Sequence, residues 1–234
     1  MTKERIFDNN EVKVKDVIIN NGELIRLVSL SNVVSVKDSM TGLWKTDSRI
    51  TDPILSQVLD SRDTSNFIPT DDDVRKHLMG DIVTFYFRQK TEKIIGFDAI
   101  KFAPPSKELR PDQPFPEEMG VYLAGSYVAG EMQRTGLYTA ATMERARRGI
   151  ERGYEYVFTE SQNPDIQDRV TRALERLKAF GEIKDFKMNE RVMLKALYPG
   201  CMYKNIPTNP RVSFADLNYD AGDAYALIFH LELK

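Results

Sequence analysis

"VYLAGSYVAGEMQRTGLYTAATMERARRG" occupies residues 121–149. Its first part is apolar and strand-like, and Gly125 inside it predicts a bulge or a close backbone approach. A short turn follows, and Gly136 opens a helix. That helix carries Ala140, Met143, Ala146 and Ile150 on one face, with Glu144, Arg145, Arg147, Arg148 and Glu151 expected towards solvent. A strand that turns directly into a helix leaves N–H groups at the helix start without intrahelical acceptors. Those donors and the positive dipole end favour an anion, a phosphate above all. Gly136 admits a close approach, Arg134 adds charge, and Thr135 and Thr139 add hydroxyls. The other reading is an ordinary strand–helix connection with water on the donors. Neither a Walker loop nor the G-x-G-x-x-G dinucleotide fingerprint is present here.

Outward from this stretch, the elements on both sides are legible. Residues 12–30 alternate around an Asn-Gly pair and predict two strands and a turn. Residues 31–69 are ambiguous except for "DPILSQVLDS", a short helix with Pro53 in its first turn. "TDDDVRKHLMG" starts like a capping box, Thr70 with Asp73, and Gly80 is expected to end that helix. "IVTFYFRQ" and "KIIGFDAIKF" predict a hairpin around "KTEK". Residues 103–118 hold five prolines and are expected to form a loop without an element. Downstream, "YEYVFTE" reads as a buried strand. Asn163 then caps a helix with Pro164 at its first position, and Ile166, Val170, Leu174, Leu177 and Phe180 keep helical spacing up to Gly181. "VMLKALY" and the last ten residues are further strands, with Leu227, Phe229, Leu231 and Leu233 on one face. The order predicts an α/β domain with a mixed sheet.

Composition narrows the function. The chain has 234 residues, enough to bury a core without disulfides, and a single domain is the expectation. A formal net charge of −2 gives no field that draws nucleic acid or an anionic membrane. Cys201 is the only cysteine, so no internal disulfide forms, and a reducing, cytoplasmic setting fits. The first residues lack the apolar core of a signal peptide, and no stretch is long and apolar enough to span a bilayer. His77 and His230 are the only histidines, which argues against a histidine-based zinc cluster, and no metal is expected. Both histidines read as structural, as does Cys201. Asp71, Asp72 and Asp73 read as first-turn dipole partners rather than a calcium loop.

"VAGEMQRTGLY" resembles the acyl-coenzyme A signature of the GNAT superfamily of N-acetyltransferases. That pattern runs from a valine through a variable residue, often proline, to Gln/Arg-x-x-Gly-x-Gly/Ala. Val128, Glu131, Gln133, Gly136 and Leu137 stand in register, while Gly130 replaces the frequent proline and Tyr138 the last small residue. The element order over roughly residues 70–195 is similar to the family's as well. The resemblance implies a mixed, mostly antiparallel central sheet flanked by helices, with two central strands splayed apart, in a single domain. Residues 1–69 would extend it at the start, and an irregular loop would precede the last strand.

The resemblance further implies acetyl-coenzyme A, or another acyl-coenzyme A, as cofactor. Tyr127 and Val128 would offer backbone groups to the pantetheine. Gln133, Arg134, Thr135, Gly136, Leu137, Tyr138 and Thr139 would cradle the pyrophosphate. Asn163 would lie near the cofactor arm, or serve only as a helix cap. Glu118 and Tyr122, on one face of the third strand by period two, are the catalytic candidates. The family's usual acid is a helix tyrosine, and Leu177 stands in its place. The implied activity is acyl transfer, most simply acetyl transfer, to a small-molecule or peptide amine. The alternatives are a silent coenzyme A-binding module and an acyltransferase for longer acyl donors. No nucleic-acid or membrane partner is implied, and a homodimer is compatible with the sequence.

Overall fold

The computed structural model describes residues 12–109 and 114–234. The Asn-Gly signal gives a hairpin, β1 (Val12–Ile18) and β2 (Leu24–Val33), with Gly22 at φ +78° in the turn. A minor ribbon follows, β3 (Val36–Lys37) with β4 (Trp44–Lys45). The helix expected from "DPILSQVLDS" is α1 (Asp52–Asp63), with Pro53 in its first turn.

The next helix is α2 (Asp71–His77), and its capping box is complete. The Thr70 hydroxyl accepts from the Asp73 N–H at 3.1 Å, and the Asp73 carboxylate accepts from the Thr70 N–H at 3.0 Å. Thr70→Ala is expected to cost about 1 kcal/mol of stability, read as a lower urea midpoint at unchanged slope. Gly80 does not end this helix. Leu78 is its C-cap, and Gly80 opens β5 (Gly80–Arg88), where it pairs with Val33. The chain needs its extended backbone there, not a left-handed one: a Cβ on Gly80 would meet the Ile100 carbonyl oxygen at 2.5 Å.

β5 pairs antiparallel with β2 and with β6 (Lys93–Ala103). Of the described residues, 12–65, 69–100 and 124–135 form one compact unit. Its core joins Leu30, Val83, Phe85 and Phe97 to Ile54 and Val58 of α1 and Val74 of α2. Gly125 shows the close approach its position suggested, since a Cβ there would sit 3.1 Å from the His77 side chain.

The second unit holds residues 66–68, 101–109, 114–123 and 136–234. The proline-rich stretch is not free of structure, because Pro105–Glu108 make a single helical turn, α3, with Pro105 at its start. β7 (Gly120–Val128) then runs parallel to β8 (Tyr156–Ser161), and their pairing covers Gly120↔Tyr156 to Tyr122↔Phe158. Between them lies α4 (Leu137–Ile150). After β8 comes α5 (Pro164–Ala179). Gly181, at φ +69°, closes α5 with a Schellman motif: Glu182 N–H donates to Leu177 O and Gly181 N–H to Lys178 O, each at 2.9 Å.

The chain continues as β9 (Asp185–Met188), which the sequence pattern does not separate, and β10 (Val192–Leu194), the part of "VMLKALY" that pairs as a strand. Both pair antiparallel with β11 (Ala224–Glu232), which also pairs with β8. The strands make a mixed, mostly antiparallel sheet flanked by helices. No helix among the described residues is long and apolar enough to cross a membrane.

Arg145 is not a solvated residue of α4. The helix packs on both α5 and β8 and so buries a broad face. Arg145 lies two turns after Tyr138 on that face. Its guanidinium carbon is 5.1 Å from the Tyr138 ring centroid, and it donates to the Thr142 hydroxyl at 2.8 Å. Arg147 pairs with Glu144 and Glu182, and Arg152 lies over Phe102 at 4.3 Å. The basic helix surface is thus largely spent on internal partners.

Candidate active site

The turn after β7 begins with a 3₁₀ turn at Gly130–Met132. Gly130 N–H donates to the Thr64 hydroxyl at 3.1 Å, and a Cβ on Gly130 would lie 2.2 Å from the Thr64 carbonyl oxygen. The close passage of α1's end explains why glycine replaces proline here. Arg88 reinforces the start of the turn by pairing with Glu131 at 2.9 Å and Glu23 at 2.7 Å.

Further on, the Thr135 hydroxyl donates to Met132 O at 2.7 Å, and Thr135 O accepts from Asn20 N–H at 2.9 Å. Arg134 (φ +65°) and Gly136 (φ +86°) are left-handed. Two left-handed residues this close to a helix start bend the chain sharply just before α4. α4 starts without a side-chain cap and without an acidic residue in its first turn, whereas α2 and α5 have both. Gln133 and Arg134 are exposed, while Leu137, Tyr138 and Thr139 are buried, so these last three offer an anion backbone rather than side chains.

Tyr127 and Val128 are buried at the end of β7. The Tyr127 hydroxyl donates to Val58 O at 2.5 Å, and burial pushes its pKa up. Asn163 is a helix cap: its Oδ1 accepts from Asp165 N–H at 2.9 Å. The His230 ring lies tilted against Tyr156 at 5.0 Å and 3.6 Å from Glu155, a sheet-surface arrangement.

The catalytic candidates do not form a pair with each other. Glu118 is exposed just before β7. The Tyr122 ring is buried and stacks on Phe158 at 5.2 Å, and its hydroxyl donates to Glu160 at the end of β8. Burial first, and the Glu160 charge next, raise the Tyr122 pKa well above normal. Burial lifts Glu160 to about 7, against the opposing pull of the Tyr122 hydrogen bond.

Two further tyrosines come from the segment before β11. Tyr198 is half-buried, and desolvation with the Glu160 charge raises its pKa well above the usual phenol value. Tyr203 hydrogen-bonds to Ser161 and Asn163, and its ring lies 5.4 Å from Phe67. Gln162 fixes this segment by donating to Gly200 O and accepting from Met202 N–H at 2.9 Å. Sequence reasoning misses Glu160, Tyr198 and Tyr203. The one available signal is a lone carboxylate closing the buried run "YVFTE".

No family model matches the chain, and no curated protein matches it. Solved structures do. The chain is similar to the GNAT domain of S. lividans PAT, at 14% identity over 93% of this chain and 97% of that one, with a TM-score of 0.49. It is similar to Arabidopsis thaliana NAA60 in complex with a bisubstrate analogue, at 14% identity over 78% and 94%, with a TM-score of 0.47. It is also similar to the NatC complex bound to Gag peptide and CoA, at 12% identity over 87% and 99%, with a TM-score of 0.44.

Proposed function

We propose that the chain is an acyl-coenzyme A-dependent N-acyltransferase that moves an acetyl group to a small-molecule or peptide amine. The observation that carries this reading is the 133–138 turn. It joins two left-handed residues to an uncapped helix start, in register with an acyl-coenzyme A signature. Gln133, Arg134, Thr135 and Gly136, with the backbone of Leu137, Tyr138 and Thr139, hold the pyrophosphate by N–H donation and charge. Tyr127 and Val128 present backbone groups to the pantetheine, and Asn163 lies beside the arm. The bound cofactor supplies an activated thioester. The protein supplies proximity, a route for the amine proton and a donor near Val128 for the developing oxyanion. Glu118 and Tyr122 are the sequence's candidates for proton handling. The chain acts as a single domain in the cytoplasm.

Isothermal calorimetry with acetyl-coenzyme A tests the reading, with micromolar affinity expected. Gly136→Val forces a β-branched residue to φ +86°, a strain of about 1–3 kcal/mol. It is expected to weaken binding at least tenfold, in rough proportion to a loss of about 1.4 kcal/mol per decade. Wild-type protein that binds no acetyl-coenzyme A at concentrations suited to micromolar affinity would overturn the proposal.

A second reading, a silent coenzyme A-binding module, is favoured by Leu177. It is fully buried in α5, where the family pattern places its acid. Cofactor binding without thiol release across a broad amine panel would select it.

A further inference from the structure

The Asn-Gly turn of the β1–β2 hairpin lies against the start of the 130–136 turn. Ile19 N–H donates to Glu23 O at 3.1 Å and Gly22 N–H to Ile19 O at 2.9 Å, which closes the hairpin turn over a buried Ile19. From this turn Asn20 N–H donates to Thr135 O at 2.9 Å. The Glu23 carboxylate accepts from Nε of Arg88, the last residue of β5, at 2.7 Å. Arg88 also reaches the other turn. Its Nη1 pairs with Glu131 at 2.9 Å, and its Nη2 donates to Met132 Sδ at 3.1 Å. All three guanidinium nitrogens therefore have partners, drawn from two turns far apart in sequence.

The second turn needs such support. Arg134 carries a side chain yet stands at φ +65°, a conformation its own sterics disfavour. A residue stays there only where its surroundings over-determine the backbone. Arg88 holds the chain at Glu131 and Met132, before Arg134, and Asn20 holds it at Thr135, directly after. Met132 is buried, so the first of these anchors is packed as well as bonded. The Arg88 side chain is only 26% exposed, and a planar fork shared among three partners keeps a geometry that a lone surface pair does not. With two carboxylates on its guanidinium, Arg88 offers an anion little charge. What it supplies is the shape of the turn.

We propose that Arg88 is a positioning residue for coenzyme A binding, and that the β1–β2 turn is the second clamp of the same device. Together they hold residues 131–135 in the shape that receives the pyrophosphate. This inference rests on the acyltransferase reading above, and it gives the N-terminal extension a part in the site. Donors fixed before the ligand arrives need no ordering when it binds. A turn that holds its binding shape only a fraction of the time loses affinity by that fraction. Losing either clamp therefore lowers affinity in a protein that is still folded.

The experiment compares the full chain as wild type, Arg88→Met, Glu131→Gln, Glu23→Gln and Asn20→Pro. Methionine keeps the apolar stem of Arg88 and removes the fork, and proline removes the N–H that donates to Thr135 O. Each protein is melted first, and acetyl-coenzyme A affinity is then measured by calorimetry at a temperature where all are folded. Arg88→Met and Asn20→Pro should each raise Kd roughly tenfold. Glu131→Gln and Glu23→Gln should raise it by smaller factors, and neither should add to the loss once Arg88 is methionine. An arginine that met the phosphates itself would give the opposite sign: both glutamine variants would release its charge and lower Kd, and that result overturns the inference. Arg88→Met protein that melts lower but binds as wild type does shows a merely structural arginine, which overturns the inference and leaves the acyltransferase reading standing. If Arg88→Met does not fold, Glu131→Gln decides alone, because its side chain is 53% exposed and its loss leaves the core intact. Unchanged Kd in that variant then overturns the inference. Failure of wild-type protein to bind acetyl-coenzyme A overturns the underlying reading itself.

Discussion

Gly130→Pro is expected to destabilise the protein by about 2–3 kcal/mol, although proline is the frequent residue in the pattern this turn resembles. The reason lies 66 residues upstream. Thr64 is the C-cap of α1, and its hydroxyl donates to Ser61 O at 2.9 Å while accepting from Gly130 N–H. A proline at 130 removes that N–H and sets ring atoms where even a Cβ would come within 2.2 Å of Thr64 O. The backbone of the turn and the end of α1 cannot both stay in place. Gly130→Ala separates the two effects, because it keeps the donor and adds only the clash. Urea unfolding should therefore rank wild type above alanine and alanine above proline. The displaced turn should also weaken acetyl-coenzyme A binding in both variants. A proline variant as stable as wild type would show that α1's end yields freely and that the glycine is not required by packing.

The same contact shows what the sequence can and cannot reveal. The β1–β2 hairpin, the α2 capping box, and the Asn163 and Gly181 ends of α5 are all legible. Each rests on residues a few positions apart, whose side-chain chemistry acts on its own backbone. Gly80 misleads for the opposite reason. Its local setting resembles a helix end, but the backbone of Ile100, a distant neighbour, decides its conformation. Arg145 misleads because helical periodicity assigns a face and cannot tell how wide the covered part is. The turn is readable as an anion site from its glycine and register, since both are local. The Tyr122–Glu160 pair is not, because a 38-residue separation closes only through the parallel β7–β8 ladder. Tyr198 ends the run read as a strand, which pairs only to Leu194, and Tyr203 lies beyond it in a segment that Gln162 positions through hydrogen bonds no spacing announces.

Glu160→Gln should make the protein more stable near pH 8, by about 2–3 kcal/mol, and leave stability unchanged near pH 4. The sign follows from proton counts. In the folded state the Glu160 pKa is raised from 4.5 to about 7, chiefly by burial. Below about pH 4.5 the folded and unfolded chains both hold the proton, and the carboxyl imposes no penalty. Between about 4.5 and 7 the folded chain holds a proton that the unfolded chain has released, so stability declines as pH rises. Above about 7 the folded chain carries a buried charge and the full penalty applies. Glutamine fills the same volume, still accepts from the Tyr122 hydroxyl through its carbonyl oxygen, and never ionises. Melting curves of the two proteins should thus coincide in acid and separate by roughly 5–10 °C at pH 8. A glutamine variant less stable at every pH would mean that the carboxylate has a cationic partner in solution and supports the fold. If the curves separate only as pH rises, the chain keeps a carboxyl that weakens the fold over the range where it gains its charge, a charge that a structural hydrogen bond to Tyr122 does not need.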